Sequence, residues 1–190
     1  MGSKQYVVGI RSSPNSPIHV LTSSICTKVQ GPLGPNYASV GSHYLNQTGD
    51  GEQITIVKTQ NHTMLNTTSS EFPYDFGNLI LETPSKIPPA NLPFVDDSQI
   101  KRGMLTKVMG WGTTAEFIEE TAEYSYELRD SCAGGQPGKG FEVGDFGAPL
   151  VLENGLGDSD DVLIGVVGHF GLGGQAGVPT ASSRVSVAME

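Results

Sequence analysis

The chain has 190 residues, 37% of them hydrophobic, with 25 Gly and 12 Pro. That length supports one sizeable core or two small barrels sharing an interface, and the Gly and Pro content favours short strands and turns over long helices. A net charge of −9 with no Lys/Arg cluster argues against nucleic acid and anionic membranes as partners, and no apolar run approaches the ~20 residues of a membrane-spanning helix.

In chain order, the pattern predicts strands at 6–10, 19–22, 37–40, 53–59, 78–82, 105–110, 149–152 and 162–167. Turn signals separate them: "GPLGPN", "TGDGE", "PSKIPP", "GGQPGKG", "ENGLGD" and "GLGGQAG". Helical periodicity is scarce. The acidic stretch "EFIEETAEYSYE" at 116–127 is expected as a short helix or an exposed loop. The Pro-rich "PSKIPPANLP" predicts a linker, dividing the chain into halves 1–97 and 98–190. There is no internal repeat.

The opening "MGSKQYVVGIRSS" lacks the apolar core of a signal peptide. Three Asn-x-Thr triplets begin at Asn46, Asn61 and Asn66; their clustering favours a secreted protein, read here as its mature chain, and makes these asparagines glycosylation candidates. "DFG" occurs at Asp75 and again at Asp145, but without the other parts of a kinase. No His, Cys or acidic cluster has metal-ligand spacing, so no metal and no cofactor is expected. "GDSDD" at 157–161 reads as a solvated hairpin loop.

The stretch "EVGDFGAPLVLENG" is built like the nucleophile loop of a serine hydrolase, yet its central residue is Phe146. Four ordered segments, "HVLTSSIC", "YDFGNLILE", "NLPFVDD…VMGWG" and "CAGGQPGKGFEVGDFGAPLV…LIGVV…GVPTASSRVS", resemble the trypsin/chymotrypsin-type serine protease family. The resemblance covers nearly the whole chain. It implies an all-β fold of two antiparallel six-stranded barrels with little helix, here with the first barrel incomplete. Within that superfamily, "GIRSSP", "DGEQITIV", "QNHT", "LETPSK", "DDSQIK", "MGWG" and "LENGLGDSDDVLIG" resemble the oomycete glucanase inhibitor proteins. Those are secreted protease homologues held to inhibit host endo-β-1,3-glucanases, so the resemblance implies a plant endo-β-1,3-glucanase, or another secreted host hydrolase, as partner.

The resemblance places the three positions of a catalytic triad at Ile25 (base), Asp75 (carboxylate) and Phe146 (nucleophile). Such a unit needs a nucleophile, a base and an orienting carboxylate. Only Asp75 retains its chemistry, and loss of nucleophile or base in such a unit costs about 10⁶-fold in turnover. Ser23, Ser24, Ser131 and His169 lie at the wrong matched positions to substitute. The matched specificity pocket has Gly140 at its floor, with Gly168, His169 and Phe170 along its wall. A calcium loop matched by "GSHYLNQTGDGEQ" keeps Glu52 but has Ser42 at another ligand position, so no calcium is expected. Asp145 occupies the position that in active relatives pairs with a freshly cut amine; a loosened, zymogen-like loop is therefore expected around it.

The resemblance also implies internal deletions, one between Ser16 and Pro17 and one between Gly112 and Cys132. Each removes the disulfide partner of a remaining cysteine, and Cys26 and Cys132, on different halves, are not expected to pair. Each lost disulfide removes about 2–5 kcal/mol from a total of about 5–15 kcal/mol. The function expected is thus a catalytically inactive protease homologue that binds a hydrolase. The alternative is a degenerate paralogue without retained activity, and a working serine peptidase is disfavoured. Loops at 31–36, 66–74 and 116–126 are candidate contact surfaces.

Overall fold

A computed structural model describes residues 9–10, 19–28, 34–42, 51–68, 74–101, 103–110, 119–121, 126–127, 130–134, 144–155, 159–168 and 179–189. Five strands form a first sheet: β1 (Gly9–Ile10), β2 (His19–Thr22), β3 (Tyr37–Val40), β4 (Glu52–Asn61) and β5 (Gly77–Leu81), in the spatial order β1-β2-β5-β4-β3. Seven form a second: β6 (Leu105–Val108), β7 (Glu119–Thr121), β8 (Tyr126–Glu127), β9 (Asp130–Gly134), β10 (Pro149–Leu152), β11 (Val162–Val167) and β12 (Pro179–Arg184), in the order β7-β6-β10-β11-β12-β9-β8. Every pairing between these strands is antiparallel. The all-β expectation holds: among the described residues the first sheet, expected to be incomplete, has five strands, and the second has seven rather than six.

The strand sequences explain their positions. In β5, Gly77, Leu79 and Leu81 are buried while Asn78 and Ile80 are half-buried, the period of two of a sheet with one face on the core. In β10 and β11 every residue is buried, and their nearly continuous apolar runs suit strands covered on both faces. Gly165 interrupts the second run because a Cβ there would stand 3.2 Å from both Leu150 Cδ2 and Ser182 Cβ. The small residue lets β10 and β12 close on β11.

One core cluster, Val20, Val40, Ile54, Leu79 and Leu81, lies within the first sheet. Another, Ile100, Leu150, Leu152, Val162 and Ile164, lies within the second. A third sets Phe76 of the first half against Val151, Leu163, Val166 and Val185 of the second. Each such aliphatic or aromatic side chain contributes about 1.5–3 kcal/mol when fully buried, so the third cluster ties the two sheets together.

The connection from β5 to β6 is stitched to the second sheet. Asn91 donates its backbone N–H to Asp161 O (3.2 Å) and accepts from Leu163 N–H (2.9 Å), and its carboxamide donates to Ser159 O and Asp161 O. Asp97, at φ 52°, accepts a hydrogen bond from Ser186 Oγ at 2.8 Å and is ion-paired with Arg184, whose Nε lies 3.1 Å from its Oδ2. A left-handed backbone costs a non-glycine residue about 1–2 kcal/mol, against which the hydrogen bond and the ion pair act.

Three sequence expectations need correction. Within the stretch 116–127 the described residues are strands: Glu119–Thr121 pairs with Leu105–Lys107, and Tyr126–Glu127 pairs with Asp130–Ser131. Partner strands, not local periodicity, decide its conformation. Strands β9 and β12 were not anticipated, because "DSCAG" and "PTASSR" lack apolar alternation; they form by pairing with each other, and β12 also pairs with β11. A five-residue helix, α1 (Ser24–Lys28), follows β2, ahead of the turn signal at 31–36, where no helix was expected. Of the strand expected at 6–10, only Gly9–Ile10 is described.

Candidate functional site

Three segments meet at the contact between the sheets: the end of β2 with α1, the turn before β5, and the loop 144–148 before β10. Ser23 opens α1 as its cap. Its carbonyl accepts from Cys26 N–H at 3.1 Å and its Oγ from Ile25 N–H at 3.3 Å, the behaviour that favours serine at a helix start. Thr27 Oγ1 turns back to Ser24 O at 2.7 Å. Packing of α1 on β5 requires Gly77, because a Cβ there would meet Thr27 Cγ2 at 2.5 Å and Ser23 O at 2.7 Å.

Asp75 is 1% exposed and lies at the centre of this contact. Its Oδ2 accepts from Ser23 Oγ at 2.7 Å. Its Oδ1 accepts from Ser24 N–H at 2.9 Å and from Ser24 Oγ at 2.5 Å. The resemblance to serine proteases would pair this carboxylate with an imidazole at position 25. With Ile25 there, two neighbouring hydroxyls donate instead, so a buried charge that would otherwise be costly is satisfied. Ser23 and Ser24, wrongly placed to act as a nucleophile, serve instead as donors to Asp75. The signal for this role is simple: a buried aspartate needs donors, and two serines precede the position where the resemblance expects an imidazole.

The third segment docks directly on the first. Cys26 Sγ donates to Phe146 O at 3.2 Å. Gly147, at φ 84°, sits so close that a Cβ would lie 2.1 Å from Thr22 Oγ1 and 3.0 Å from Cys26 Sγ. The loop is closed by Ala148 N–H to Asp145 O, Gly147 N–H to Val167 O, and Val167 N–H to Ala148 O, all within 2.8–2.9 Å. Asp145 is buried, with its Oδ1 against Gly110, where any Cβ would stand 2.1 Å away. The expected loosening of this loop is therefore not found in residues 144–148: backbone pairing with β11 and the close approach to Thr22 hold it in place.

Ile25, Asp75 and Phe146 thus occupy segments in mutual contact, with Ile25 and Phe146 both half-buried. Neither carries an atom that can accept a proton or attack a carbonyl, so the arrangement offers no nucleophile–base pair at these positions. The Cys26 thiol is free. Its pKa is raised, chiefly by burial and further by the Asp75 charge, against hydrogen bonds from Thr22 and Ser23 that lower it. The group stays a thiol at neutral pH, the unreactive form. Cys132 lies on β9 of the second sheet, opposite Ala181, whereas Cys26 lies on α1.

Of the pocket positions, Gly168 is buried directly after β11; Gly140, His169 and Phe170 lie outside the described residues, as does Asn46. Ser131 pairs with Ser182 and Tyr126 in the second sheet. Glu52 closes a loop: its carboxylate accepts from Ser85 Oγ and from Lys86 N–H at 2.9 Å, and the Ser85 bond is the main cause that holds its pKa below the ordinary carboxylate value. Among the described residues no group of three or more His, Cys, Asp or Glu side chains could hold a metal.

Beside Asp75, His62 stacks on Tyr74, ring centroids 5.0 Å apart and nearly parallel, and tilts against Phe76. Its Nδ1, as assigned, accepts Met64 N–H at 3.2 Å, and burial pushes its pKa below the usual 6.5. In the unfolded chain this imidazole takes its proton near pH 6.5, and in the folded chain only at lower pH. Its neutral form therefore supports the fold fully above pH 6.5, and that contribution falls as the pH drops towards the folded pKa. The urea midpoint is expected to fall between pH 7.5 and pH 5, and His62→Phe to flatten that part of the profile.

No protein-family model matches the chain. Known proteins do. Glucanase inhibitor protein 2 of Phytophthora infestans is 48% identical over 221 aligned positions, covering all of this chain and 83% of the relative. Glucanase inhibitor protein 2 of Phytophthora sojae is 44% identical over 218 positions, covering all of this chain and 74% of the relative. Glucanase inhibitor protein 1 of Phytophthora infestans is 43% identical over 219 positions, covering all of this chain and 83% of the relative. Alignments of 218 to 221 positions accommodate only 190 residues, so the relatives carry internal segments that this chain lacks. With such identity along its whole length, the chain belongs to the family of glucanase inhibitor proteins.

Proposed function

We propose that this protein is a catalytically inactive serine protease homologue, secreted by its source, that binds and inhibits a host endo-β-1,3-glucanase. The observation that carries the reading is the end-to-end match to proteins named as glucanase inhibitors, together with apolar Ile25 and Phe146 at the base and nucleophile positions of the resemblance. The halves 1–97 and 98–190 act as one trypsin-like unit, with the Phe76 cluster as its internal seam. A scaffold that keeps the Asp75 contact while positions 25 and 146 carry no proton-transfer group is suited to recognition rather than turnover. Binding is then the work of surface loops on a rigid frame.

The test is a titration. A plant endo-β-1,3-glucanase hydrolysing a soluble β-1,3-glucan is mixed with increasing amounts of the purified chain. A dose-dependent loss of glucan hydrolysis supports the reading. An unchanged rate at a large excess of well-folded chain supports instead a degenerate member of the family with no retained partner.

A further inference from the structure

We propose that Asn66 carries an N-linked glycan and that Asn61, five residues earlier in the chain, does not. The inference goes beyond glucanase binding and does not depend on it. The attachment forms a bond from Asn Nδ2 to the anomeric carbon of a lipid-diphosphate-linked oligosaccharide. The bond from that carbon to the diphosphate oxygen breaks, the lipid diphosphate leaves, and Nδ2 gives up one proton. The enzyme must read both the carboxamide and the hydroxyl two residues on, so the triplet has to turn back on itself in an accessible place.

The Asn66-Thr67-Thr68 triplet does this in the folded chain. Asn66 Oδ1 accepts from Thr68 N–H at 3.0 Å and from Thr68 Oγ1 at 2.7 Å, a side-chain turn of the kind Asn forms readily. All three residues are exposed. Both bonds fall on Oδ1 and neither engages Nδ2, so the acceptor nitrogen and the recognised hydroxyl stand together on the surface.

Asn61 is built differently. It is the last residue of β4 and pairs with Gly77 of β5. Its Oδ1 accepts from Thr27 Oγ1 of α1, the helix whose Ser24 also donates to Asp75. The next residue is fixed as well: His62 donates its N–H to Phe76 O at 3.0 Å and its ring stacks on Tyr74. Asn61 and Thr63 are exposed and His62 is half-buried, so the difference lies in how the backbone is held: Asn61 is tied to β5, and closing the triplet into the turned form would break the His62–Phe76 bond. A bulky glycan on this carboxamide would also stand against α1.

The full chain is expressed behind a secretion leader in a eukaryotic host, and glycans are removed by an amidase in heavy-oxygen water. Each asparagine that carried sugar becomes a heavy aspartate, read by peptide mass spectrometry on secreted and cell-retained material alike. Most of the Asn66 peptide is expected to carry the label and the Asn61 peptide none. Thr68→Ala is expected to abolish the Asn66 label, and Thr68→Ser to keep it. Label at Asn61, or an unlabelled Asn66 in both fractions, overturns the proposal.

Discussion

Replacing Asp75 with alanine is expected to lower the unfolding free energy by about 3–5 kcal/mol, because two buried hydroxyls and one buried N–H lose their acceptor together. Each unsatisfied buried donor costs about 1–3 kcal/mol, and hydroxyl rotation recovers part of the sum. The loss takes up much of the about 5–15 kcal/mol by which a domain is stable. Asp75→Asn keeps one acceptor oxygen, and a smaller loss is expected. Ser23→Ala removes one bond to a charged group, worth about 1.5–3 kcal/mol. Urea denaturation of both single variants and the double variant gives the coupling. Ser23→Ala is expected to cost markedly less in the Asp75→Ala background than in the wild type, as for residues sharing one network. Full additivity would mean that Ser23 is held by something other than this carboxylate. The outcome matters for function because it separates a carboxylate kept as a structural tie from one kept for chemistry.

The second large effect is at Gly147. Alanine there must take a left-handed backbone, at about 1–2 kcal/mol, and must push its methyl against buried Thr22 and the Cys26 sulfur, where overpacking costs about 1–3 kcal/mol more. A total of about 2–5 kcal/mol is expected. Gly155 is the control: its φ is 92°, but nothing lies within 4 Å of a Cβ added there, so Gly155→Ala should cost only the backbone part. Equal losses at the two positions would show that the loop 144–148 is not pressed against β2 and α1.

Both predictions concern contacts that the sequence showed unevenly. Strands with apolar alternation or continuous apolar runs, such as 19–22, 37–40, 149–152 and 162–167, were legible because burial on one face or two leaves a pattern in residue type. Strands β9 and β12 were not, because serine, alanine and glycine in "DSCAG" and "PTASSR" are neutral about conformation and follow their partners. The same holds for 119–121, whose acidic residues resemble an exposed helix until β6 provides an edge. At the site, the ordered motifs indicated Ile25, Asp75 and Phe146, since tight turns and motif spacing survive when chemistry is lost. What motif matching could not show was replacement by neighbours. Ser23 and Ser24 satisfy Asp75 from positions where no catalytic role would look for them. Asp145 is a related case: its missing cation partner alone predicts a loosened loop, whereas Gly110 leaves its side chain room in a buried position.

The most direct measurement is calorimetric titration of the purified chain into a plant endo-β-1,3-glucanase, followed by intact-mass analysis of both proteins after prolonged incubation. The proposed function predicts saturable binding with a defined stoichiometry, and both masses unchanged. Absence of binding heat at several temperatures from a cooperatively folded chain, or a shortened glucanase, would contradict it.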